Sequence, residues 1–193
     1  QHHATEDIGI MRSIANMTII VPADAIETEK AVRAAAEYEG PVYIRLGRNP
    51  DPVIYAQDYK YEIGKAVLLK EGKHVTIIAT GRMVAESLIA ANKLEEEGIE
   101  AGVINVHTIK PLDKEAVVEA ANNTELIVTV EEHNIMGGLG SAVAEVVTEQ
   151  NACPIKRIGV PDVFSAIGSY DELLARYGLT GEGIANQIKK WVE

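Results

Sequence analysis

The chain of 193 residues is short of cysteine, of aromatic residues and of positive charge. Its one cysteine, Cys153, excludes an intramolecular disulfide and any metal site built on several thiolates. Cys153 precedes Pro154 and an apolar run, so it reads as a small buried hydrophobe rather than a nucleophile. Aromatic residues make up only 5% of the chain, but Val, Ile, Leu and Ala are abundant along its whole length, which argues against disorder. Lys and Arg total 18 against 29 Asp and Glu, a net charge of −11. No basic stripe offsets that charge, so nucleic-acid backbones and anionic membranes are disfavoured partners. No apolar run reaches membrane-spanning length, and no secretory signal stands at the start. With this thiol usage a cytoplasmic location is expected. The opening Gln1-His2-His3 lacks an initiator Met and reads as a tag remnant or as the visible end of a longer chain.

What is present is alternation. Short β-branched runs are each followed by a longer helical segment. Met17–Pro22 reads as a buried strand and Asp24–Glu39 as a helix, with Asp24 and Glu27 forming a capping-box pattern. Val42–Leu46 is a second strand. Residues 51–60 hold no clear period and form a linker after the Asn49-Pro50 turn signal. Beyond it come a possible edge strand at Ala66–Leu69 and further strands at Val75–Ala79, Gly102–Val106, Glu125–Val130 and Pro154–Val160. Helices are expected at Met83–Glu97, after Asp113, after Gly140, at Ser169–Arg176 and at Thr180–Trp191. Thr108–Asp113 reads as a turn. This repetition predicts an α/β fold with a mostly parallel sheet and helices on both faces.

Four groups of residues could carry chemistry. The first is the His2–Asp7 segment, since imidazoles donate hydrogen bonds, shuttle protons or bind metals. Nothing near it has metal-ligand spacing, so it is a tag fragment or a polar loop on composition alone. The second is Arg45 and Arg48, in and just past a strand whose carboxyl end is where open α/β sheets gather ligands. Their guanidinium groups suit a phosphate, or else pair with nearby carboxylates. The third is the strand-to-helix loop Glu131–Ser141. Its glycines lack the P-loop lysine and the dinucleotide spacing, so close helix–sheet packing is the expected role. The fourth is His107 with Asp162, for which hydrogen-bonded structural roles are expected.

Taken together, the phrases resemble the transketolase family. His2-His3-Ala4-Thr5-Glu6-Asp7-Ile8, Met11-Arg12-Ser13-Ile14-Ala15-Asn16-Met17, Val21-Pro22-Ala23-Asp24 and Gly47-Arg48-Asn49 are similar to the tail of its pyrimidine-binding domain. Ala79-Thr80-Gly81, Thr108–Asp113, Glu131-Glu132-His133 and Gly137-Gly138-Leu139-Gly140 follow its C-terminal domain in order. Ala15, usually Pro, and Gln1, usually Thr or Ser, are departures.

The resemblance implies a pyrimidine-binding tail at residues 1–50, a linker at 51–60 and a C-terminal domain at 61–193. It implies transfer of a two-carbon ketol unit between sugar phosphates, as in the pentose phosphate pathway. His2 then corresponds to an active-site histidine and Arg48 to a substrate-phosphate ligand. Thiamine diphosphate and Mg²⁺ belong to the complete enzyme. The segment that holds them, and the glutamate that activates the aminopyrimidine, are not found in this sequence. The expected partners are therefore an N-terminal diphosphate-binding portion and a second copy, and the fragment alone is expected to be inactive. A related 1-deoxyxylulose-5-phosphate synthase or 2-oxo acid dehydrogenase β subunit is the alternative enzyme. A module that binds a metabolite at Glu132–Ser141 is the non-catalytic alternative. Two strands and a helix cut from a larger sheet should leave an unpaired edge, so the first 50 residues are expected to pack less well than the rest.

Overall fold

The computed structural model describes residues 4–47, 51–150 and 153–192. In chain order the first part carries α1 (Asp7–Arg12), β1 (Thr18–Ile20), α2 (Ala25–Glu37) and β2 (Val42–Ile44). Next come β3 (Val67–Lys70), β4 (Val75–Ala79), α3 (Met83–Glu96), β5 (Ala101–Asn105), β6 (Thr108–Lys110) and α4 (Lys114–Asn123). The chain ends with β7 (Leu126–Asn134), α5 (Leu139–Gln150), β8 (Ile155–Val160), α6 (Tyr170–Arg176) and α7 (Gly181–Val192).

The larger sheet has five strands in the order β3-β5-β4-β7-β8. β5, β4, β7 and β8 run parallel, and β3 closes one edge antiparallel. β4 is buried at every position, which explains its unbroken apolar sequence. Val75, Ile77 and Ala79 join a core with α3 and α7, while Ile78 joins a second core with α4 and α5. The expected α/β architecture with helices on both faces is therefore present.

The smaller sheet departs from expectation. Its order is β2-β1-β6, with β1 parallel to β2 and antiparallel to β6. Thr108–Lys110 is thus a strand, not a turn. Its three residues are too short to show a period, and its partner lies far away in sequence. One side of β1 is covered by β6, and Ile19 and Ile20 are fully buried; the expected unpaired edge is the outer side of β2, which has no strand partner among the described residues. Helix α1, unpredicted, packs Ile8 into the same core as Val106, Ile109 and Leu139. Residues 4–47 are thus joined to the rest of this chain through α1 and β1, though β2 stays only half-buried.

Asp24 shows how the two parts are joined. One carboxylate oxygen accepts the Glu27 amide at 2.7 Å and caps α2. The other accepts the amides of Ile54 and Tyr55 at 2.7 and 2.8 Å, anchoring the linker. The capping box is only half made: the Glu27 carboxylate accepts from the Ala23 amide and then turns inward. The linker is not loose either. Tyr55 stacks on Tyr59 at 3.9 Å between ring centroids, and Tyr61 lies 4.4 Å from the His107 ring. Asp24→Ala removes a cap and orphans two further amides, so it should destabilise the chain by about 2–4 kcal/mol in urea unfolding. A loss under about 1 kcal/mol would show that the linker is not anchored there.

Candidate functional site

The carboxyl ends of the two sheets meet. The Val21 amide donates to the His107 carbonyl at 2.7 Å, and the Gly81 amide donates to the Val21 carbonyl at 3.2 Å. Gly81 has φ +57, and a Cβ there would lie 2.9 Å from the Val21 side chain. The crevice where an open α/β sheet commonly takes a ligand is thus partly filled by the Val21-Pro22-Ala23-Asp24 phrase. Beneath it the Glu27 carboxylate accepts hydrogen bonds from Asn105 Nδ2 at 2.9 Å and Tyr59 Oη at 3.0 Å. Burial pushes its pKa up to about 7. No sequence pattern beyond its place with Ala31 on one helical stripe marks Glu27 as buried.

The loop Glu131–Ser141 holds a second internal carboxylate. Glu131 is fully buried and accepts the Leu139 and Gly140 amides at 2.7 and 2.9 Å. It therefore occupies the amino end of α5, where free amides attract an anion. Gly138 is required here, because a Cβ would come within 1.9 Å of the Glu131 carboxylate. The expected close helix–sheet packing is present, and the anion position is filled from within. Burial pushes the Glu131 pKa up to about 7, against the pull of the Gly140 and Leu139 amides.

His133 and the N-terminal segment meet at the end of β7. His133 Nδ1–H donates to the Asn134 carbonyl at 2.7 Å, which leaves Nε2 to accept the Gly9 amide at 3.2 Å. Burial lowers its pKa, so the neutral ring is favoured. The Asn134 amide donates to the Thr5 carbonyl at 2.6 Å. Arg12 reaches back to the Gly137 carbonyl at 2.8 Å and pairs with Glu145 at 2.7 Å. Arg45 pairs with Asp7 at 3.1 Å and donates to the carbonyls of Ala4 and Glu132, both at 3.0 Å. Arg45 is therefore committed inside the protein rather than offered to a phosphate.

A further arginine, not singled out by the sequence reading, lies at the start of α3. Arg82 pairs with Asp51 at 3.3 Å and lies 4.8 Å above the Tyr170 ring. Tyr170 Oη donates to Glu132 at 2.7 Å. Three carboxylates, those of Asp51, Glu86 and Asp171, lie within 4.0 Å of Arg82 and surround its charge.

The remaining candidates divide clearly. His2 and Arg48 lie outside the described residues. His107 is fully buried beside Thr108, and burial pushes its pKa down to about 4. Asp162 is exposed, so the two have separate structural settings. Cys153 is half-buried against the α4–α5 core, in keeping with a small hydrophobe. Among the described residues, no three His, Cys, Asp or Glu side chains could hold a metal ion. No helix among them is long and apolar enough to cross a membrane.

Fold and site together define a two-part α/β protein in which the end of one sheet is sealed against the crevice of another. The transketolase pyrimidine-binding domain matches residues 1–50, and the transketolase C-terminal domain matches residues 64–184. The chain belongs to the transketolase family. It is 46% identical over 192 residues to a 6-deoxy-6-sulfo-D-fructose transketolase subunit of a Clostridium species, covering all of this chain and 60% of that relative. A structure described as a split gene transketolase, inactive beta4 tetramer, superposes with a TM-score of 0.93 at 48% identity, over 97% of this chain and 61% of that one. A 1-deoxy-D-xylulose-5-phosphate synthase from Heliobacterium modesticaldum is 40% identical over 192 residues, covering 98% of this chain and 30% of that enzyme. The chain thus spans about three fifths of its transketolase-subunit relatives.

The raised pKa of Glu131 has a consequence for stability. Between its ordinary value of 4.5 and about 7, the folded chain holds a proton there that the unfolded chain has lost. Raising the pH through that window favours unfolding; above it both states are ionised and the effect levels off. The stability of the native chain relative to Glu131→Gln should therefore fall across this window in urea titrations, then stay constant. A relative stability that rises with pH would contradict the assignment.

Proposed function

We propose that this chain is the C-terminal portion of a thiamine-diphosphate-dependent transketolase that moves a two-carbon ketol unit from a ketose phosphate to an aldose phosphate. Residues 1–50 then form the tail of the pyrimidine-binding domain, 51–60 the linker and 61–193 the C-terminal domain. The observation that carries the reading is the anchoring of residues 4–12. The segment that follows His2 and His3 is gripped at Ala4, Thr5, Asp7, Gly9 and Arg12 against the carboxyl end of β7. A family phrase bearing a histidine is thus tied to a rigid frame.

In this reading His2 donates a hydrogen bond to a substrate oxygen and holds or moves a proton there. Arg48 fixes the substrate phosphate at a distance from the reacting carbons. It adjoins Gly47, where a Cβ would lie 3.2 Å from the Asp51 carboxylate that pairs with Arg82. Thiamine diphosphate, when bound, supplies the carbanion chemistry. The diphosphate and its Mg²⁺ are assigned to an N-terminal partner portion, in line with the match to the transketolase domains and to a split-gene transketolase chain. A homodimer of the complete enzyme in the cytoplasm completes the proposal.

The second reading, 1-deoxyxylulose-5-phosphate synthase, is favoured by the 40% identity to that enzyme. One assay separates the two. The chain is combined with an N-terminal portion, thiamine diphosphate and Mg²⁺, and given a ketose phosphate or pyruvate as donor. Ketol transfer is expected only in the combined sample. His2→Ala should lower kcat by about 10²–10⁴-fold. Arg48→Ala should act mainly through KM for the phosphorylated substrate, raising it about 10–100-fold. Turnover by the chain alone, or a preference for pyruvate, would contradict the proposal.

A further inference from the structure

We propose that the loop between β8 and α6 is a docking element for the N-terminal diphosphate-binding portion, which receives Phe164 and Ile167 in an apolar pocket with a basic rim; the inference rests on the transketolase reading above. Phe164 is the sole phenylalanine of the chain. Such a side chain ordinarily goes to the core, yet Phe164 and Ile167 are completely exposed and Val163 is 54% exposed. Among the described residues no other large apolar side chain exceeds 65%. Single exposed apolar residues are ordinary, but Val163, Phe164 and Ile167 stand together on one loop and mark an interaction surface.

The loop is braced from within. The Val163 amide donates to the Pro161 carbonyl at 2.7 Å, and the Ala166 amide donates to the Tyr177 hydroxyl at 3.0 Å. Beyond it Ser169 and Glu172 close the capping box of α6, and Tyr170 Oη donates to Glu132. The apolar tips are thus presented on a held turn, which keeps the ordering cost of docking low. Phe164 alone can bury about 150–250 Å². A standard interface takes about 800 Å² from each partner, so this patch supplies its centre rather than its whole.

Two observations select the occupant. The first is position. β8 ends at Val160, which pairs with Asn134 at the end of β7, and the Asn134 amide donates to the Thr5 carbonyl at 2.6 Å. The loop therefore leaves the sheet beside the anchored N-terminal segment. In the transketolase reading the cofactor arrives on a separate portion that must approach this segment, and its path crosses the loop. The second is charge. Between Arg157 and Arg176 the chain has the acids Asp162, Asp171 and Glu172 and no Lys or Arg. All three acids are exposed, and Arg82, which lies 3.8 Å from Asp171, is already surrounded by carboxylates. A second copy docking loop to loop would set like charges against each other, in a chain whose net charge is −11. A partner with Lys or Arg around an apolar pocket fits instead.

The test mixes the full-length chain with the separately purified N-terminal portion, thiamine diphosphate and Mg²⁺. Binding is measured by calorimetry and ketol transfer by the assay above. The double variant Phe164→Ser with Ile167→Ser removes only exposed groups, so its urea midpoint should match the native one. Its Kd for the N-terminal portion should rise at least about 30-fold. At saturating partner its kcat should return to the native value, as a docking role requires; a kcat still reduced there would overturn the proposal. Asp162→Lys should slow association and weaken its dependence on salt. The Phe164 and Ile167 amides should exchange quickly in the chain alone and slowly in the complex. Protection already present in the chain alone would overturn the proposal, because a second copy or another stretch of the same chain would then cover the loop. If the native chain does not bind the N-terminal portion, the transketolase reading fails and the docking proposal falls with it. If it binds and transfers ketol while the double variant binds as tightly, the reading stands and the docking proposal alone is overturned.

Discussion

The antiparallel contact between β1 and β6, together with the adjoining bond from Val21 to His107, is the constraint on which the rest of the molecule depends. It turns β1 from the edge of a two-stranded pair into the central strand of three and brings the end of β1 against the end of β4. Gly81 must then adopt a positive φ beside Val21, and Asp24 must serve a helix and a linker at once. With those positions set, α1 lies on the second core, and the segment before it runs along the end of β7. A parallel sheet of this type offers a crevice at its carboxyl ends. Here the chain's own phrase Val21–Asp24 takes up part of that space, so the C-terminal domain uses its crevice for attachment.

Two buried carboxylates follow the same logic. Glu131 stands where an external anion would sit at the amino end of α5, and Glu27 gathers donors from Ala23, Asn105 and Tyr59. Burial raises both pKa values to about 7. Two buried histidines are shifted the other way, His107 to about 4 and His133 downward. In mildly acidic solution the carboxyls favour the fold as pH falls, and the histidines favour it as pH rises. The opposing slopes limit the change in stability over that range. The acids also fix close contacts: Gly138 is packed so tightly against Glu131 that no side chain fits.

Much of this was legible in the sequence. The apolar run Val75–Ala79 marked a strand covered on both faces, and Ser169 with Glu172 marked a helix start that the structure completes as a full capping box. β6 and α1 were not legible, for different reasons. β6 has three residues and is stabilised by a partner about ninety positions away. α1 has six residues and no side-chain cap at its start. Asp24 was read correctly as a cap, but Glu27 looked like the second half of a local motif, and its inward turn depends on Asn105 and Tyr59. Arg45 showed the same ambiguity, since a strand-end arginine fits a phosphate and an aspartate equally well until Asp7 is placed beside it. His2 and Arg48 stand out only through the whole phrases that resemble the family, because neither has a local sequence signal that marks it as a site.

The central claim is that residues 4–47 and the remainder form one cooperative body joined at β1 and β6. Native-state hydrogen exchange on the whole chain tests it most directly. The amides of Thr18–Ile20 should open with the same free energy as those of Val75–Ala79 and respond to denaturant with the same slope. Exchange at β1 through a smaller, separate opening, with β4 still protected, would contradict the account.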